Sequence, residues 1–119
     1  AHGLPARAAA TPDPRGADIV SAATLATEPL IRGVELDPGT HLDLVGAFRP
    51  DMREADGAAL ARARLVVDTR AGAMAEAGDI VQGLREGAFT EAHVAAELAE
   101  LCRGEATGRT APDQLTAFK

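Results

Sequence analysis

The run ADIVSAAT, residues 17–24, is made of small and β-branched residues without polar alternation, the pattern of a strand buried on both faces. Residues 11–16 before it carry Pro12 and Pro14 and read as an irregular connector, because proline lacks the amide donor and restrains its predecessor. After it, Thr27 is placed to cap a short helical piece through Ile31, with Glu28 at the positive end and Pro29 in the first turn, and Gly33 ends it. Asp37, Pro38, Gly39 and Thr40 form a tight-turn sequence. A second strand follows at 41–45, where Leu42 and Leu44 alternate with His41, Asp43 and Val45, and Gly46 marks a sharp exit or a close backbone approach.

Asp56 is placed to cap a helix running to about Arg64, which passes almost without a loop into the strand-like run Leu65, Val66, Val67 and Asp68. Farther on, Val94, Leu98, Leu101 and Cys102 recur at i, i+4, i+7 and i+8 and predict an amphipathic helix from Thr90. In that helix Thr90 is the cap, Arg103 lies by the negative end, Gly104 closes it in the left-handed conformation, and Cys102 faces the core. Residues 115–118 read as a final strand. Short strands alternating with helical pieces call for parallel crossovers, hence an α/β sheet covered on both faces. No G-x-G-x-x-G occurs, so the phosphate-binding turn of a dinucleotide fold is missing from these residues.

Composition narrows the function classes. Of 119 residues 46% are apolar, but 27 of these are alanine, enough for one modest domain only. The formal charge is −6, and eleven of the twelve basic residues are Arg scattered among acids, which argues against a nucleic-acid groove. Three Phe with no Trp or Tyr supply neither a base-stacking platform nor an interfacial belt, and no apolar run approaches membrane-spanning length. A single cysteine allows no internal disulfide, a zinc site would depend on the dispersed His2, His41 and His93, and a cytoplasmic setting is the default expectation. The chain opens on Ala1 without a signal-peptide pattern and its last strand is cut short at Lys119, which reads as a piece of a longer polypeptide.

The segments ADIVSAATLATEPLI, PGTHLDLVGAFRPDMRE and VVDTRAGAMAEAGDI, in this order, with CRGEATGRT and the closing TAFK, resemble the ornithine cyclodeaminase and mu-crystallin family of NAD(P)-dependent proteins. The stretch Gly46, Ala47, Phe48, Arg49, Pro50, Asp51, Met52, Arg53, Glu54 is similar to its ketimine reductase branch, which includes Δ1-pyrroline-2-carboxylate and Δ1-piperideine-2-carboxylate reductases. The resemblance implies the C-terminal half of a Rossmann-type doubly wound parallel sheet, with the glycine-rich first half and a substrate and dimerisation domain outside residues 1–119. It further implies NADPH or NADH as cofactor, a small cyclic imino acid as substrate and a homodimer at full length. A mu-crystallin-like binder of small ligands and NADPH without turnover is one alternative, and an ornithine cyclodeaminase is the other. In the cyclodeaminases a catalytic aspartate follows the glycine pair of this loop; Phe48 stands there, which argues against cyclodeamination.

By resemblance Thr24 and Leu25 contact the dinucleotide, against the plainer reading of Thr24 as a strand end. Val45, Gly46 and Ala47 offer a nearly side-chain-free edge for a flat ring, or form an ordinary turn. Phe48 walls the substrate pocket or plugs the core. Glu76, in a stretch where Gly78 ends a short helix and Asp79 begins the next segment, faces the substrate by resemblance and would favour a protonated ketimine; a solvated helix-end charge is the alternative. No residue is singled out as catalytic and none as a metal ligand. Arg49, Asp51, Arg53 and Glu54 read as surface pairing, and His41 and His93 as surface or cap positions.

Overall fold

The computed structural model describes residue 3 and residues 5–119; His2 lies outside them. Among the described residues, β1 (Ile19–Ala22), β2 (His41–Leu44), β3 (Arg64–Val67), β4 (Val94–Glu97) and β5 (Thr116–Phe118) form one sheet in the order β1-β2-β5-β3-β4. Every pairing is parallel. The expected α/β architecture with a parallel sheet is what forms.

Leu42 and Leu44 of β2, Leu65 and Val67 of β3 and Ala117 of β5 alternate onto one face and are buried. Against them pack α1 (Gly57–Arg62), α2 (Arg70–Glu76) and α3 (Gly78–Arg85), whose Ala59, Leu60, Ala73 and Ile80 complete the core. The alanines permit close approach of helix to sheet, so a chain with few large apolar residues still closes an interior.

Local signals explain the element ends. Asp56 caps α1, its carboxylate accepting from Ala59 N at 2.8 Å and from Gly33 N at 2.9 Å. The α1 carboxyl end is closed by His93, whose Nε2 donates to the carbonyls of Leu60 and Ala63 at 2.9 and 3.0 Å. Gly39 takes φ +86° in the turn before β2, as its sequence asks.

Three expectations fail for physical reasons. Residues 17–24 do not form a doubly buried strand: β1 is an edge strand with Ile19 67% exposed. No helix follows Thr27; instead Leu30 N and Ile31 N both donate to the carbonyl of Glu54 at 2.9 Å, so the segment is held as a bridge to residue 55. The amphipathic helix from Thr90 is a 3₁₀ turn, then β4, then the short α4 (Leu98–Cys102). There Val94 and Ala96 bury with the period of two that pairing with β3 demands, while Leu98 and Cys102 are exposed. The helical spacing ran across a strand–helix joint, and Cys102 is not core. Gly104 does adopt the left-handed conformation, at φ +72°.

Leu65 is fully buried and Leu98 is not. Leu65→Ala is expected to lower the unfolding free energy by about 3 kcal/mol, against below about 1 kcal/mol for Leu98→Ala; urea denaturation of the protein measures both, and equal losses would contradict this core.

Candidate functional site

The carboxyl ends of β1 and β2, neighbours in the sheet, carry the segments 23–26 and 45–48. Thr24 is tied down twice to Glu54 Oε1, from its N at 2.6 Å and its Oγ1 at 2.9 Å. Its hydroxyl also accepts from Ala26 N at 3.3 Å, so the threonine side chain is spent on shaping its own loop. Leu25 beside it is 71% exposed.

The second loop is packed from beneath. A Cβ on Gly46 would collide with the Glu54 carboxylate and the Thr24 carbonyl, so only glycine permits this approach. Ala47 is fully buried in the left-handed region at φ 49°, a strained conformation for alanine, with its carbonyl receiving Gly78 N at 2.8 Å. Gly46 and Ala47 are therefore not a bare edge. The exposed groups are Val45 at 61% and Phe48 at 55%, and Phe48 does not plug the core.

Between this loop and α2 lies a cavity of about 140 Å³ lined by Val45, Gly46, Phe48, Asp68, Glu76 and Lys119, among others. Phe48 and Glu76 thus face one space. Gly78 starts α3 rather than ending α2, pressed against the carbonyls of Arg49 and Met52. A larger groove lies on the other face of the sheet, bordered by His41, Arg64, Thr116 and Phe118, and holds none of the residues assigned to cofactor or substrate from the sequence. In open parallel sheets ligands gather at the carboxyl ends of the strands, which favours the smaller cavity and its two loops.

Three residues beneath the site gave no adequate signal in the sequence. Glu54 and Asp79 are fully buried, and the Lys119 side chain is 5% exposed. Asp79 Oδ1 accepts from Glu54 N and Ala55 N at 2.7 and 2.8 Å. Lys119 Nζ donates to the Gly46 carbonyl and stands 3.0 Å from Asp79 Oδ2, outside hydrogen-bonding angles, so that contact is coulombic.

The alternating charges of 49–54 are only half surface pairing. Arg49 and Asp51 do pair in solvent at 3.2 Å. Arg53 is buried, donating to both Glu86 carboxylate oxygens at 2.5 and 2.7 Å and to the carbonyl of Ala55 at 3.1 Å. This bidentate hydrogen bond holds the Glu86 carboxyl below the usual carboxylate range and raises the Arg53 guanidinium further. The alternation carries no sign of which charges point inward.

Residues 4–119 match the model of the ornithine cyclodeaminase/mu-crystallin family. The chain belongs to that family. It is 47% identical over 103 residues to the Δ1-pyrroline-2-carboxylate reductase of Paracoccus denitrificans, covering 87% of this chain and 33% of that protein. It is 38% identical over 104 residues to the ketimine reductase mu-crystallin of Mus musculus, covering 87% and 30%. The solved structure of Thermococcus litoralis Δ1-pyrroline-2-carboxylate reductase in complex with NADH and L-proline matches with a TM-score of 0.87 at 39% identity, over 89% of this chain and 33% of that one. The chain thus spans about a third of the length of these relatives. The family likeness places the parallel sheet among Rossmann-type dinucleotide folds.

Because the folded pKa of Glu86 is depressed, the stability it contributes is complete above the ordinary carboxylate value of 4.5 and fades as pH falls through the lower folded value. Glu86→Gln should remove that part of the acid limb and cost on the order of 1 kcal/mol near neutrality, Glu86 being half in solvent. Melting temperatures of both forms across pH 3 to 7 check this; parallel curves would contradict it.

Proposed function

We propose that these residues are the trailing, nicotinamide-facing half of the dinucleotide domain of an NAD(P)H-dependent reductase of cyclic ketimines such as Δ1-pyrroline-2-carboxylate. The observation that carries the reading is the junction at the carboxyl ends of β1 and β2: exposed Leu25, Val45 and Phe48 stand above a rigidly tied floor, beside a cavity edged by Asp68 and Glu76. Unpartnered apolar side chains on a fixed backbone suit a flat ring, and the missing glycine-rich turn fits a half-domain. NADH or NADPH, when bound, supplies the hydride.

The protein's part is positioning and charge. Thr24, Leu25, Val45, Gly46 and Ala47 fix the ring's place through the backbone, and angle and distance govern hydride transfer. Phe48 walls the substrate side. Glu76 favours the protonated C=N, the better acceptor, because a carboxylate stabilises the cation. Phe48, standing where cyclodeaminases carry an aspartate, favours reduction over cyclodeamination. The similarity to named reductases of this chemistry supports the reading. A homodimer at full length and a cytoplasmic setting belong to the same proposal.

The full-length polypeptide should oxidise NAD(P)H on addition of pyrroline-2-carboxylate and should release no ammonia from ornithine; loss of NAD(P)H absorbance reads the first, and its failure would sink the proposal. Glu76→Gln should lower kcat/KM for the ketimine at least ~tenfold, the scale of one lost charge contact, and an unchanged value would remove that role. Residues 1–119 alone should show no micromolar NADPH binding.

A further inference from the structure

The roles above leave the ammonium of Lys119 unused, yet it is among the most enclosed charges in the molecule, with its side chain 5% exposed. Its backbone is fixed in the middle of the sheet: Lys119 N donates to Val66 O at 3.0 Å, and Lys119 O accepts from Asp68 N at 3.0 Å. From that anchor the side chain reaches the Gly46 carbonyl and the face of Asp79.

The contacts continue in one line. Asp79 holds the amides of Glu54 and Ala55, and Glu54 holds the amide and hydroxyl of Thr24. A single buried ammonium is thus linked to the loops after both β1 and β2, the two segments assigned to the dinucleotide.

A buried ion pair is an inefficient way to gain stability, since an apolar pair of similar volume commonly does as well. What an apolar side chain cannot do is grip a carbonyl. The Gly46 carbonyl belongs to the peptide leading into Ala47, which is already held at φ 49°. Releasing it frees that peptide plane to rotate, and with it the direction of Val45 and Phe48.

We propose that Lys119 is a positioning residue that sets the dinucleotide-facing loop 45–48 through the Gly46 carbonyl, with Asp79 as its counter-ion. The assignment rests on the proposed function for what the loop faces, and on the contacts above for how it is held.

Lys119→Met leaves Asp79 buried and unpaired, so the decisive protein is the full-length double variant Lys119→Met with Asp79→Asn. There the charges cancel, and the asparagine carbonyl still accepts from Glu54 and Ala55. Hydrogen exchange of the Gly46 and Gly78 amides, which bond to Ala22 O and Ala47 O, is expected to quicken at least tenfold. The Leu42 and Leu65 amides in the sheet should stay within twofold of wild type. The KM for NADH should rise about tenfold while kcat moves less than threefold. Lys119→Arg with Asp79 intact should recover most of both readings. Protected Gly46 and Gly78 amides in the folded double variant overturn the proposal. Equal acceleration everywhere also overturns it, by making Lys119 a general stabiliser. A wild-type protein that binds no NADH would retire the proposed function, while the exchange readings would still decide whether Lys119 sets this loop.

Discussion

A carboxylate sealed inside a small α/β protein needs compensation for its charge, and Asp79 finds it in the consecutive amides of residues 54 and 55 at Oδ1 and in the Lys119 ammonium 3.0 Å from Oδ2. That requirement fixes the chain between β2 and α1 against the start of α3. With residue 54 fixed, its carboxylate is delivered to Thr24 and its carbonyl to the amides of Leu30 and Ile31. Arg53, one residue earlier, turns to the other end of α3 and locks on Glu86. Segments without regular structure thereby become as well determined as the strands, which suits loops that must place a ligand.

The sequence disclosed those parts of the fold whose cause is local. The Asp56 cap, the glycine turn at 39 and the alternation of Leu42 and Leu44 each rest on a few neighbouring atoms, and each forms as read. The errors share a different origin. Residues 94–102 satisfy a helical spacing, but β3 presents an open edge to Val94 and Ala96, and pairing outweighs propensity in so alanine-rich a stretch. Residues 27–31 carry helix-start signals, yet the carbonyl of Glu54 claims two of their amides. Likewise, nothing in ADIVSAAT tells that Ile19 and Ser21 stay exposed on one face of the strand.

For the site, it was the resemblance to a family that pointed to these loops, whereas composition and spacing did not. Val45, Phe48 and Glu76 line one cavity, and Thr24 lies in the neighbouring loop, tied to Glu54. Glu54, Asp79 and Lys119 escaped because burial of a charge leaves no periodic trace: an acid amid alternating charges reads as solvated, and a lysine closing a strand reads as an edge. Only their geometry shows that these three link the visible site residues.

The strand order holds one more consequence. β5, made from residues 116–118, lies between β2 and β3 and supplies partners to both. Until those three residues arrive, the pair β1-β2 and the pair β3-β4 have no seam along which to join, so a nascent chain elongating on the ribosome carries two unfinished ribbons. Assembly of this sheet then depends on pairing residues 41–43 and 64–66 with residues 116–118, contacts far apart along the chain, and such topology slows folding.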